Sequence, residues 1–175
     1  MRGLRLKFML WLYTHSSRIY AQIFKANKTP WGIKKEEFLN YPEGSIGYQL
    51  GVFYQEKGFD VMPTLENHDV FHVLTGTGTD IQDEIAMQYL LFGNGKVSLY
   101  LLGMLFVGTF VFPEHFRYYR ESYQKGRFYG RFYDVEFKEM LHFNLIGYRS
   151  VIARRYEEAI LPHVMVSGVE PSVRR

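Results

Sequence analysis

A chain of 175 residues, 47% hydrophobic and 22% charged, is long enough to bury one sizeable core, and it is expected to form one domain over residues 1–175. With no cysteine there is no disulfide framework and no thiolate metal site, which fits a reducing cytoplasm. A net charge of +3 without a dense Lys/Arg run argues against nucleic acid as a partner, while 15 Phe and 14 Tyr suit either an aromatic core or a chain that covers an apolar ligand or membrane interface.

In chain order, residues 1–25 place Arg2, Arg5 and Lys7 before Phe8-Met9-Leu10-Trp11-Leu12-Tyr13. This predicts an amphipathic helix that either joins the core or lies on a membrane surface. The apolar run is too short for a secretory signal. Residues 27–40 read as a turn and a short helix, and Pro42-Glu43-Gly44-Ser45 as a turn opening a helix over Ile46–Lys57 that Gly58 ends. That turn is expected within reach of the next helix, which Thr64 is expected to cap.

This next helix carries His68-Asp69-Val70-Phe71-His72, followed after eleven residues by Glu84. At about 100° per residue, His68, His72 and Asp69 sit at roughly 0°, 40° and 100° around one axis. Thr75-Gly76-Thr77-Gly78-Thr79 permits a sharp reversal, and Thr79-Asp80-Ile81-Gln82 fits a capping box opening a second helix. His72 lies about one turn before the reversal and Glu84 about one turn after it, so an antiparallel pair brings them to the same height. Two imidazoles with Asp69 and Glu84 make a helix-turn-helix metal site suited to zinc, ferrous iron or manganese. The competing reading is a solvated face carrying an i, i+4 histidine pair.

The second helix is expected from residue 80 to about 92, stopped by Gly93-Asn94-Gly95. Residues 96–112 are almost uncharged and read as a buried central helix rather than a membrane span. Beyond Pro113, residues 114–120 and 125–133 interleave bases with aromatics, which suits phospholipid headgroups, a phosphorylated ligand or plain solvated faces. Helices are expected over 134–148 and 150–161, with a loose tail at 164–175. His15, His115, His142 and His163 stand alone. No strand alternation, phosphate loop or nucleophile elbow is present, so the fold class is an all-α bundle of about six to eight helices.

The His-Asp-x-x-His, eleven residues, Glu pattern at His68, Asp69, His72 and Glu84 resembles the signature of the ubiquinone (coenzyme Q) biosynthesis family of the Coq-four type. Tyr41-Pro42-Glu43-Gly44-Ser45-Ile46-Gly47, Tyr123-Gln124-Lys125-Gly126 and Phe137-Lys138-Glu139-Met140-Leu141 are similar to other blocks of that family, so the likeness spans residues 38–145. Asp83 and Gln88-Tyr89 depart from it. The resemblance implies a helical homodimer, peripheral on the cytoplasmic face of the inner membrane and working beside other quinone-biosynthesis enzymes. It implies a bound divalent metal, with zinc taken first and iron as the alternative, and a prenylated quinone precursor or other isoprenoid lipid. The implied activity is metal-dependent oxidative decarboxylation, a lyase-type step at ring carbon one of a polyprenyl-4-hydroxybenzoate precursor, with His68, Asp69, His72 and Glu84 acting through the metal. Two alternatives stand beside it. One is a non-catalytic, metal-stabilised lipid-binding scaffold. The other, a His-Asp phosphohydrolase, lacks the further His and Asp ligands that chemistry needs.

Overall fold

Two serine hydroxyls, at Ser45 and Ser98, and two left-handed glycines, at Gly58 and Gly76, set four of the helix ends. In the computed structural model, which describes residues 3–5, 7, 11 and 29–153, α1 spans Lys35–Phe38, α2 Ile46–Lys57, α3 Glu66–Thr75, α4 Ile81–Gly93, α5 Leu99–Val111 and α6 Phe116–Phe128. Short 3-10 turns cover Pro113–His115 and Phe137–Met140, and residues 145–153 form α7. Among the described residues there is no strand, only an isolated bridge between Ser45 and Asn144. The expected all-α single domain is the one observed. Of the expected N-terminal helix, residues 3–5, 7 and 11 are described and are helical; the remainder of it, the stretch beyond residue 153 and the tail lie outside the described residues.

Ser45 Oγ accepts from Tyr48 N at 3.2 Å to open α2, and Gly58, at φ 64°, closes it. Gly76, at φ 67°, ends α3 and sends its N–H to His72 O. Elsewhere the expected caps give way to tertiary contacts. Thr64 does not cap α3; it sits at φ 70°, and Leu65 holds the cap position without a side-chain bond. The first turn of α3 is instead held by its own polar residues: Glu66, buried, accepts from Trp31 N at 3.0 Å, and Asn67 accepts from Phe137 N at 3.0 Å. The box at Thr79 does not form either. Asp80 caps α4 by position alone, its carboxylate accepting from Gln82 at 3.3 Å.

Two apolar clusters make the core. Phe38, Leu50, Tyr54, Phe71, Leu74 and Leu90 belong to the larger, and Ile81, Ile85, Met104, Val111, Phe112 and Tyr119 to the smaller. Tyr89 of α4 packs against both. Many of the aromatics are therefore structural, with Tyr54, Tyr119, Phe38, Phe132 and Phe137 among the largest fully buried side chains.

The Pro42–Ser45 turn is held by a later segment of the chain, with Gly44 O accepting from Leu145 N at 3.0 Å. Two further expectations are corrected. The helix expected over 134–148 is a 3-10 turn and a loop, with α7 starting at 145. Helix α5 is not buried all round: Leu101, Met104, Leu105, Gly108 and Val111 face inward, whereas Leu99, Leu102, Phe106 and Phe110 face out. Composition could not show this, because the helix is apolar on every side and periodicity has no polar face to mark.

Two cations of the basic-aromatic segment, Lys125 and Arg131, are engaged within the chain. Lys125 donates to Thr75 O at 3.2 Å and Arg149 to Leu74 O at 3.0 Å, so two cations sit on the carbonyl end of α3, where the helix dipole favours them. Arg131 pairs with Asp134 and lies over the Tyr133 ring.

Candidate metal centre

The turn between α3 and α4 brings His68, His72 and Glu84 together, although the two helices are not in the extensive contact of a packed antiparallel pair. His72 Nε2 lies 3.2 Å from Glu84 Oε1, His68 Nε2 lies 3.3 Å from Glu84 Oε2, and the two Nε2 atoms are 3.3 Å apart. The imidazoles stand almost perpendicular, at 86°. Two basic nitrogens and a carboxylate this close together could hold a cation. A proton serves one nitrogen–oxygen edge at a time, whereas a metal ion serves all three. Ligands about 2.0–2.1 Å from a tetrahedral ion lie roughly 3.3–3.4 Å from one another, so the observed spacing fits such an ion.

His72 is prepared for that role. Its Nδ1 faces Gly78 O at 3.0 Å and Thr77 O at 3.2 Å, and carbonyls only accept, so the proton resides on Nδ1 and the lone pair on Nε2 faces the other donors. Phe53 stacks on the ring at 5.8 Å and 13°, fixing its plane. A side chain at Gly78 would meet the Asp83 carboxylate, which would have to turn aside.

Asp69 stands outside the trio. Its Oδ2 accepts from the buried Tyr54 hydroxyl at 2.8 Å, and it lines the same cavity as the three donors. Burial, against the opposing pull of His68, the Tyr54 hydrogen bond and His72, leaves its carboxyl above the ordinary carboxylate value. Of the lone histidines, His142 packs against Tyr41 and His115 against Phe112 and Tyr119; His15 and His163 lie outside the described residues.

The donors open onto a cavity of ≈ 450 Å³ walled by Phe53, Phe59, Met62 and Leu65, with Asp60 and Thr79 also in its lining. For scale, an apolar cavity of about 150 Å³ takes up benzene. A substituted aromatic ring with the start of an alkyl chain would fit. No sequence signal identified Phe53, Tyr54 or the Thr77 and Gly78 carbonyls as parts of the site. Phe53 and Tyr54 arrive from α2, and backbone carbonyls carry no residue signature.

Burial acts to raise the Glu84 carboxyl, but hydrogen bonds and charge from His68 and His72 outweigh it and hold it well below the ordinary value of 4.5. Burial acts to lower His72, and its contacts with Glu84 and the Thr77 carbonyl leave it above the ordinary 6.5. Without metal, the Glu84 contribution to stability is present above about pH 4.5 and lost below it, while the His72 contribution is present below about pH 6.5 and lost as pH rises through its raised pKa. Both contributions are therefore present together between those values. Metal reverses the alkaline arm, because ligation needs neutral imidazole. Saturating zinc should raise the melting temperature more at pH 7.5 than at pH 5.5; equal shifts at the two pH values would place zinc elsewhere.

No protein-family model and no curated protein matches the chain. Among solved structures it is similar to a crystal structure of a Nostoc punctiforme protein proposed to be a ubiquinone biosynthesis protein, with 16% identity and a TM-score of 0.57 over 87% of this chain and 80% of that one. The likeness is one of fold. The residues that depart from the family pattern serve helix packing: Asp83 accepts from Tyr118 at 3.1 Å, and Tyr89 bonds to Thr109 at 2.6 Å and stacks on Tyr119. None of these contacts involves His68, His72 or Glu84.

Proposed function

We propose that this chain is a quinone-lipid biosynthesis protein of the Coq-four type that holds a divalent ion through His68, His72 and Glu84 and receives a prenylated aromatic acid in the adjoining cavity. The observation that carries the reading is the donor trio, with its His72 tautomer set by two carbonyls, at the wall of a cavity of ≈ 450 Å³ lined by Phe53, Phe59, Met62 and Leu65. The similarity of fold to the Nostoc punctiforme protein supports the pathway, and the resemblance around His68–Glu84 supports the family.

A bound divalent ion supplies positive charge for a substrate carboxylate or phenolate. The chain's own contributions are separate. Phe53 and Phe59 offer faces for an aromatic ring, Met62 and Leu65 add apolar wall, and Tyr54 holds the Asp69 carboxylate at the cavity wall. This arrangement suits decarboxylation coupled to hydroxylation at ring carbon one. Zinc alone has no redox chemistry for such a step, so oxidation at this site calls for iron, for oxygen reacting with an activated phenolate, or for a partner enzyme.

A scaffold reading is favoured by one observation: His72 and Glu84 are buried and join α3 to α4, so an ion there would also tie two helices together. Elemental analysis of protein purified without added metal, beside mass spectrometry of its lipid extract, tests both readings. The expected result is close to one divalent ion per chain and a co-purifying prenylated aromatic acid. Iron directs the next assay to decarboxylation under oxygen. Zinc whose removal unfolds the chain, with no turnover, selects the scaffold, and protein free of metal even after reconstitution rejects both.

A further inference from the structure

A second cavity, of ≈ 290 Å³, opens at the start of α3, with Trp31, Thr64, Glu66, Asn67, Glu136 and Lys138 in its lining. It shares no lining residue with the cavity at the metal centre. Glu66 sets its chemistry. The residue is 2% exposed; one carboxylate oxygen accepts from Trp31 N at 3.0 Å, and the other has no donor among the described residues. No described Lys, Arg or His forms an ion pair with it. Buried carboxylates are ordinarily paired or given several hydrogen bonds, because burial removes the water that would solvate their charge. Glu66 instead lines a cavity with one oxygen unspent.

A second carboxylate stands at the rim. Glu136 accepts from the indole N–H of Trp31 at 3.1 Å, so one buried tryptophan ties both acids in place, Glu66 through its backbone and Glu136 through its ring. Asn67 pins the segment that carries Glu136, accepting from Phe137 N at 3.0 Å. Lys138 is exposed and pairs with neither acid, so the position beside Glu66 is open.

We infer that this cavity binds an organic ammonium ion, a primary amine on a short alkyl chain. Two carboxylates against one lysine set the sign of the ligand. A metal dication is a poorer match, since it takes six or more oxygen ligands or a tight His and carboxylate set, and among the described residues no such group includes Glu66 or Glu136. An ammonium is compact, donates three hydrogen bonds, and is attracted to an indole ring. With about 150 Å³ enough for benzene, the cavity has room for the alkyl stem as well. The ammonium can come from a free amine or from a lysine side chain of another protein, and the recognising groups are the same. The site has no residue in common with the His68, His72 and Glu84 trio, so the inference stands apart from the metal reading.

Trp31 is a built-in reporter. The chain holds two tryptophans, and Trp11→Phe leaves the fluorescence to Trp31. Full-length Trp11→Phe protein is titrated with n-butylammonium chloride and with Nα-acetyl-lysine amide, and a saturable change is expected with at least one of them. Tighter binding of the lysine derivative marks a protein's lysine as the source, and equal or tighter binding of butylammonium marks a free amine. Uncharged 1-butanol should bind at least about tenfold more weakly. Glu66→Gln keeps the acceptor for Trp31 N and should weaken amine binding at least about 100-fold at unchanged metal content. If that variant fails to fold, Glu136→Lys, at the exposed rim, should still cost about tenfold. Lys138→Met should bind amines at least as well as the native residue. The inference is overturned if neither amine gives a saturable change, if 1-butanol binds as well, or if folded Glu66→Gln or Glu136→Lys keeps native affinity. Amine binding that emerges only in Lys138→Met assigns the cavity to that lysine and overturns it too.

Discussion

Glu84→Gln is expected to lower metal affinity at least about 100-fold while leaving the helices in place, since the substitution keeps shape and removes only the charge. The carboxylate is the one anionic member of a trio whose other two members are neutral when they ligate, so its loss removes most of the attraction for a dication. His72→Ala should also abolish binding, with a further cost to the fold, because it removes a buried ring stacked on Phe53. Asp69→Asn is the control: with its carboxylate turned to Tyr54, it should retain metal within about tenfold. At ion concentrations near 1,000 times the dissociation constant, native protein gains about 4 kcal/mol from binding, and Glu84→Gln should forfeit it. Calorimetric titration with zinc or ferrous ion measures both effects. Stoichiometric, undiminished binding in the glutamine and alanine variants would exclude the trio as the site.

Gly126→Ala is expected to destabilise the fold by about 3 kcal/mol, and Gly93→Ala by a similar amount. Helices α4 and α6 meet through these two glycines. A methyl group at Gly126 would overlap the Leu90 carbonyl, and one at Gly93 would overlap the Tyr123 carbonyl. Both obstacles are backbone, so relief requires the helices to separate. Alanine gains about 1 kcal/mol over glycine in helix propensity, which makes the sign decisive: if either variant is more stable in urea, the close approach is wrong. The seam also carries Asn94, which donates to Gly126 O and Gly130 O at 3.2 Å and accepts from Phe132 N and Tyr133 N at 2.9 and 3.1 Å. Changes here act on shared contacts, so Gly93→Ala and Gly126→Ala together should cost less than their sum. Metal content should survive, because Glu84 lies more than two turns from Gly93 along α4.

By itself the sequence determined the helices over 46–57, 66–75 and 81–93 and the set His68, Asp69, His72 and Glu84, which contains the trio and one residue more. Helical period, the Gly58 and Gly76 stops and the counting of turns across the reversal suffice to bring His68, His72 and Glu84 to one place, because a helix fixes both angle and rise per residue. Tertiary structure decided everything that depends on a partner from another segment. His68, Asp69 and His72 occupy one arc, yet only packing reveals that α2 supplies Tyr54 to engage Asp69 and Phe53 to flatten His72. Asn94 reads as a helix stop until residues 126–133 fold around it, and Gly93 and Gly126 look like ordinary glycines until two helices cross on them. Nor could a helix as apolar as α5 announce which side would be covered. Periodicity reports contrast between faces, and α5 has none, so its outward stripe became visible only once the other side had found its neighbours.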